Sequence, residues 1–291
     1  MNPSAGDALR DPELTAAYDH HFARLSALYA GEQLEHVFVL CGLSLVTEDP
    51  GPGGEAWLDG ALDEAARHVE AAKDPLVFRP LTVTYNPRGV HFVDHLFGAD
   101  CFQMDDGSWQ AHYVDTPIGK LPYPDLGSVD QWQEAKAVTR AFIDGNVPGV
   151  LFGLPTLSSA LNVALNLYGQ RIILAMLTDP EAAARDLRVM NDVICELHRW
   201  YLDALPPAQL QCIVPAHRCQ PPGFGQLCGC STQLLSPGLY RDFIAPLDDE
   251  LLSLYPGGGM IHLCGAHAHH IPTWREMKSL RAVQTNDRAS E

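Results

Sequence analysis

The sequence lacks long apolar runs and an excess of basic side chains. No stretch approaches the roughly 18 uninterrupted apolar residues of a membrane-spanning helix, and the polar, acidic first residues lack the apolar core of a secretory signal. We therefore expect a cytoplasmic protein. Its 19 basic against 36 acidic residues give a net charge of −17, which repels phosphate backbones and anionic lipids. Nucleic acids and membranes are not expected partners.

Several catalytic motifs are also missing. The sequence has no G-x-S-x-G elbow, no Walker loop and no H-E-x-x-H helix, which disfavours α/β-hydrolases, nucleoside triphosphatases and zincin-type proteases. Eight cysteines are scattered through the chain. In a cytoplasmic protein they are expected to stay reduced and to be free for burial or metal binding.

The sequence does contain a regular order of predicted strands and helices. Short apolar runs alternate with longer helical patterns, which is typical of βα units around a parallel sheet. The predicted strands are 36–42, 81–85, 150–154, 210–214, 226–230, 260–264 and 281–285. Because this is one strand short of a closed barrel, we predict an α/β fold of the TIM (β/α)8 type, truncated before the last βα unit. A helical segment at 1–35 would precede a barrel domain at 36–291 that is incomplete at its C-terminus.

Two helix starts and one long connection are also predicted. Asp179 before Pro180, and Ser236 before Pro237, combine a capping side chain with a first-turn proline. The stretch 105–130 is rich in Gly, Pro and aromatic residues and predicts a loop or hairpin.

The strongest chemical signal is the segment Gly257–Gly265, in which His262 and Cys264 are separated by one residue. Residues i and i+2 of a strand point to the same face, so the two side chains can share one ion. Imidazole and thiolate are preferred ligands of Zn²⁺, which needs at least one further protein ligand. By the same spacing Cys228 and Cys230 are candidates, although a strand end that needs small side chains is the more common reason for such a pattern.

Other polar residues follow the predicted strands and are candidates for binding a substrate. They are Tyr85, Asn86, Arg88, Thr156, His217 and Asn286. In an α/β barrel such positions line the face that carries the active site.

Four segments resemble the uroporphyrinogen decarboxylase superfamily, which includes cobamide-linked methyltransferases. The similarity runs from about Phe97 to the end of the chain. The segments are Phe97-Gly98-Ala99-Asp100, Gly153-Leu154-Pro155-Thr156-Leu157, Leu235-Ser236-Pro237 with Tyr240, and His262-Leu263-Cys264-Gly265. The last one matches the H-x-C-G strand of the methyltransferase branch and is the most specific.

The resemblance implies a zinc-dependent methyltransferase. In that branch a His and a Cys of this strand hold zinc together with a further cysteine, and here His262 and Cys264 fit, with Cys228 or Cys230 in place of the third ligand. The enzyme would move a methyl group between a corrinoid and a thiol or methylated substrate. The implied cofactors are zinc and a corrinoid carried on a partner protein, and the implied small-molecule partner is a methyl donor or thiol acceptor.

Two alternatives stay open. The first is a decarboxylase of the same superfamily. The resemblance implies that such an enzyme uses an aspartate and a tyrosine, but the corresponding positions of this sequence hold Gly89 and Ala160. Arg88, Arg218 and Lys120 would be its candidate cations for binding substrate carboxylates. An inactive or truncated barrel acting as a binding module is the second alternative.

Overall fold

The computed structural model describes residues 1–42, 54–212 and 218–285. The α-helices are α1 (Pro3–Leu9), α2 (Pro12–Tyr29), α3 (Gly54–Ala66), α4 (Val69–Ala72), α5 (Phe92–Leu96), α6 (Asp130–Gly145), α7 (Ala160–Tyr168), α8 (Arg171–Thr178), α9 (Pro180–Ala204), α10 (Pro237–Leu239), α11 (Ala245–Ser253) and α12 (Ile271–Trp274). Short 3-10 turns span Gly89–His91, Cys230–Leu234 and Ala268–His270, and a π turn spans Tyr240–Ile244.

The strands are β1 (Val39–Leu40), β2 (Val77–Phe78), β3 (Thr82–Thr84), β4 (Cys101–Gln103), β5 (Trp109–Ala111), β6 (Leu151–Gly153), β7 (Leu210–Gln211), β8 (Gly225–Cys228), β9 (Gly259–Leu263) and β10 (Leu280–Thr285). Each of the seven predicted segments overlaps one of them, and β8, β9 and β10 each begin one residue before the predicted start. The prediction missed the strands β2, β4 and β5.

The chain divides into two compact units. The first comprises 1–87, 127–155 and 201–223, and contains the parallel pair β1-β2 and a parallel sheet of order β3-β6-β7. The second comprises 88–126, 156–200 and 224–291, and contains a parallel sheet of order β10-β9-β8 and the antiparallel hairpin β4-β5. The predicted α/β class with parallel strands is therefore confirmed. Among the described residues the strands form separate sheets, and no closed barrel is present.

The sheet of the second unit explains the sequence pattern around His262. All five residues of β9 are buried, as expected for a central strand between two neighbours. Along β10 half-buried and exposed residues alternate, as expected for an edge strand. Helix α11 packs against both β8 and β9.

Both predicted helix starts are confirmed, and one of the two helices contains a π turn. The Asp179 carboxylate accepts a hydrogen bond from the Ala182 N–H at 3.2 Å, and the Ser236 hydroxyl accepts one from the Leu239 N–H at 3.3 Å. The helix that begins after Ser236 passes through the π turn at Tyr240–Ile244. Pro246 has no N–H to continue the helical hydrogen bonds there.

The stretch predicted as a loop or hairpin, 105–130, includes the second strand of the β4-β5 hairpin. After β5, Asp186 of α9 holds the segment that contains Gly119 and Leu121 in place. Its carboxylate is 1% exposed and accepts hydrogen bonds from the Gly119 N–H at 2.8 Å, the Leu121 N–H at 3.1 Å and the Tyr168 hydroxyl at 2.7 Å.

No single described helix is long and apolar enough to cross a bilayer. Helices α7 and α8 reach the required length and composition as a pair, but they are bent by 108° at the break between them.

We expect Asp186→Ala to lower the free energy of unfolding by about 3 kcal/mol, because it leaves buried donors without an acceptor. Urea unfolding followed by circular dichroism measures this loss. The control is Asp192→Ala on the same helix, whose side chain is 47% exposed and whose removal should cost less than about 0.5 kcal/mol. Equal losses in the two variants would contradict the role of Asp186.

We also expect a pH-dependent stability from Asp248 on α11. Burial raises the pKa of its carboxyl to about 8, whereas an unfolded Asp has a pKa of about 3.9. Between these two pH values the folded state therefore binds more protons than the unfolded state. The free energy of unfolding falls as the pH rises through this window, by up to about 1.4 kcal/mol per pH unit from this group. Asp248→Asn should flatten this slope in urea unfolding between pH 5 and pH 8. Asp242→Asn, which alters an exposed carboxylate, should keep it.

Candidate metal centre

The centre forms where β8 and β9 end. These strands pair in parallel with Cys228 directly opposite His262, and parallel neighbours deliver their carboxyl ends to the same edge of a sheet. The chain then turns at Gly229, whose N–H donates to the His262 carbonyl at 2.9 Å. A β-carbon at Gly229 would lie 2.8 Å from Ile261 Cγ2, so this close approach requires glycine. The turn places Cys230 beside Cys228.

Three potential ligand atoms converge at this edge. The Sγ atoms of Cys228 and Cys230 are 3.6 Å apart. These two sulfur atoms and a ring nitrogen of His262 all lie within 4.8 Å of one another. Two thiolates bound to one zinc at about 2.3 Å in a tetrahedron are about 3.8 Å apart. The sulfur spacing therefore fits zinc, and the donor set of two thiols and one imidazole is one that zinc prefers.

Gln284 on β10 orients the imidazole. It lies opposite His262 in the parallel register, and its Oε1 accepts a hydrogen bond from His262 Nδ1. Because an amide oxygen only accepts, Nδ1 carries the proton and Nε2 of the neutral ring keeps its lone pair for a metal. Sequence reasoning missed Gln284, since its position beside His262 depends on the pairing of β9 with β10.

The Cys230 thiol is favoured over its thiolate in the absence of a metal. The hydrogen bond with Cys228, together with burial, raises the pKa of the Cys230 thiol to about 12. A metal must therefore displace this proton, so metal affinity is expected to rise with pH.

Cys264 lies beside the cluster. Its Sγ is 3.4 Å from His262 Nε2, in keeping with the shared face predicted for the two residues. Over the described part of the chain, however, the set of mutually close ligand atoms comprises Cys228, Cys230 and His262. A ligand role for Cys264 stays a prediction.

Helix α7 supports the turn that carries the cysteines. The Ser159 N–H donates to the Cys228 carbonyl at 3.1 Å, and the Ser231 N–H donates to Asn162 Oδ1 at 3.2 Å. Asn162 was also missed from the sequence, because nothing in a local pattern indicates which distant loop a helix supports.

The predicted substrate-binding residues fall in three groups. His217 and Asn286 lie outside the described residues. In the first unit, Tyr85 is buried and its ring packs edge-on against Trp57 at 5.5 Å, and Asn86 is half-buried.

In the second unit, Thr156 is buried. Arg88 has a left-handed backbone conformation (φ 60°), and its guanidinium lies 5.7 Å from the centre of the Trp109 ring. Substrate binding by any of these residues stays a prediction.

We expect Gln284→Leu to weaken zinc binding by about 10- to 100-fold, because the imidazole loses its orienting acceptor. Competition with a chelator of known affinity measures the change. Thr285→Val is the matched control, because its side chain points to the opposite face of the same strand and the variant should bind zinc as the wild type does. If Gln284→Leu also kept wild-type affinity, Gln284 would have no role at the metal.

Comparisons with known proteins find a similarity of fold but no match to a family or to a curated sequence. No protein-family model and no curated protein sequence matches the chain. Among solved structures the chain is similar to a methyltransferase from Methanosarcina mazei, with a TM-score of 0.64 and 12% sequence identity over 90% of this chain and 75% of that one. At this identity the likeness concerns the fold, and it places the candidate metal centre on a scaffold that is also used by a methyltransferase.

Proposed function

We propose that the protein is a zinc-dependent methyltransferase that uses Cys228, Cys230 and His262 as metal ligands. The observation that carries the proposal is the convergence of these three side chains at the carboxyl ends of two parallel strands. The likeness of the fold to a methyltransferase supports it. We propose further that the fold belongs to the (β/α)8-barrel class of the uroporphyrinogen decarboxylase superfamily, in which this edge carries the active site.

Three protein ligands leave one position of a tetrahedron for a substrate, which is the arrangement of catalytic rather than structural zinc sites. When bound, zinc would lower the pKa of a substrate thiol and make it nucleophilic near neutral pH. Two thiolates from the protein balance the charge of the ion, and Gln284 keeps the imidazole in the orientation that presents Nε2.

The methyl group would pass between the substrate sulfur and a corrinoid carried on a partner protein. In this scheme the thiol acceptor or methylated donor is a small molecule, and the protein acts in the cytoplasm. The uroporphyrinogen decarboxylase reaction is disfavoured as the function of this site, because two thiols and an imidazole suit a metal rather than the carboxylates of a substrate. A binding module without activity would not require three convergent ligand side chains.

The proposal predicts both metal content and activity. Purified wild-type protein should contain close to one zinc per chain and should transfer methyl groups from free methylcobalamin to a small thiol from a panel that includes 2-mercaptoethanol and homocysteine. Cys228→Ser, Cys230→Ser and His262→Gln should each lose zinc and lower the transfer rate by at least about 100-fold.

The matched control is Cys101→Ser, which alters a half-buried thiol outside the cluster and should keep zinc and rate. Zinc well below one equivalent in protein grown with ample zinc would refute the proposal. So would unchanged zinc content in all three ligand variants.

A further inference from the structure

A cavity separate from the metal centre lies beside β10 and α12. Its volume is about 370 Å³, which falls in the range of sites that hold a small organic molecule. Its walls come from the end of β9, from β10 and from the segment 267–275. All of these residues belong to the second unit. The cavity is therefore formed within one compact part of the chain.

The cavity and the metal centre use opposite faces of the sheet. His262, a candidate metal ligand, and Leu263, which lines the cavity, are successive residues of β9, and successive side chains of a strand point to opposite faces. In the register of β9 with β10, Gln284 lies opposite His262 and Thr285 lies opposite Leu263. Gln284 contacts His262, whereas Thr285 lines the cavity. A ligand in the cavity is therefore expected not to touch the metal.

Most of the residues that line the cavity are apolar. Ile271 of α12 and Val283 of β10 also line it and are 41% and 40% exposed, so both leave apolar surface in contact with water. The indole N–H of Trp274 donates to the Tyr240 hydroxyl at 3.1 Å, which satisfies its polar end within the protein and leaves the ring to line the cavity. The walls therefore favour an apolar molecule that removes this surface from water.

Two arginines give the cavity a positive charge. Acidic residues outnumber basic ones by 36 to 19 in this chain, yet Arg275 and Arg281 line the cavity and no described aspartate or glutamate does. The Arg281 guanidinium donates to the carbonyls of Lys278 and Leu280 at 2.7 and 3.1 Å, which are neutral groups. Neither arginine forms an ion pair with an acid in the described part of the chain. The cavity is therefore complementary to an anion.

We propose that this cavity binds a small apolar carboxylate. The apolar body of the ligand lies against Trp274, Ile271 and Val283, and its carboxylate is held by Arg275 and Arg281. A guanidinium binds a carboxylate through N–H donors in a planar fork, and the charge makes these hydrogen bonds stronger than neutral ones. The site goes beyond the proposed methyl transfer and does not depend on it.

The test compares 2-naphthoate with its uncharged amide, 2-naphthamide, because the two molecules share one apolar body. Binding to the full chain is measured at pH 7 by ligand-observed NMR titration. Wild-type protein should bind naphthoate with a Kd at least about 10-fold lower than that of naphthamide. Arg275→Gln should raise the Kd of naphthoate by about 10-fold and leave that of naphthamide unchanged, since it removes a charge but no apolar wall.

Two further variants control for general charge effects. Lys278→Gln removes an exposed cation from the connection between α12 and β10 that does not line the cavity, and this variant should bind both probes as the wild type does. Val283→Glu places an acid beside the two arginines at a position that is already exposed, and it should abolish the preference for naphthoate because the new carboxylate competes for the same cations.

Titration of zinc-free Cys228→Ser separates this site from the metal centre. Its affinity for naphthoate should equal that of the wild type, whether or not the protein is a methyltransferase. Loss of naphthoate binding in Cys228→Ser would assign the carboxylate to the metal centre and overturn the proposal.

Three other results would also overturn the proposal. They are equal affinities of the wild type for the two probes, no binding of either probe, and wild-type affinity for naphthoate in Arg275→Gln. Sedimentation velocity adds a fourth, because a dimer that Val283→Glu dissociates would assign the cavity to a second copy of the chain.

Discussion

The parallel pairing of β8 with β9 is the constraint on which the site depends. Its register sets Cys228 opposite His262, and the turn after β8 then brings Cys230 to the same place. A slip of one residue would carry His262 to the other face of the sheet, because successive side chains of a strand alternate. The full burial of β9 and the packing of α11 on both strands oppose such a slip. The geometry of the centre is thus set by the hydrophobic pattern of a short strand.

The fold class and the candidate metal ligands could be predicted from the sequence, whereas the residues that surround the ligands depend on which strands and helices become neighbours. The parallel α/β class followed from apolar runs that alternate with helices, and His262, Cys228 and Cys230 followed from their chemistry and spacing. The reason given for Cys228 and Cys230 was wrong, however. The prediction put both on one extended strand face, but β8 ends at Cys228, and it is the turn at Gly229 that brings the two sulfur atoms together.

Gln284 shows why the remainder was out of reach. It is 22 residues from His262 in the chain, yet it accepts the hydrogen bond that orients the imidazole. Only the neighbouring position of β10 in the sheet reveals this contact. The same holds for Asn162 of α7, which accepts a hydrogen bond from the turn that carries Cys230. Local patterns identify residues that can perform chemistry, whereas their partners are set by which elements become neighbours.

X-ray absorption spectroscopy of the zinc-loaded protein tests the central claim most directly, because it reports the atoms bound to the metal. The account predicts two sulfur ligands at about 2.3 Å, one imidazole nitrogen at about 2.0 Å, and one light atom from solvent. In Cys228→Ser the sulfur count should fall to one. Three sulfur ligands in the wild-type protein would contradict an open position for substrate. A sulfur count unaffected by Cys228→Ser would contradict the assignment of the site.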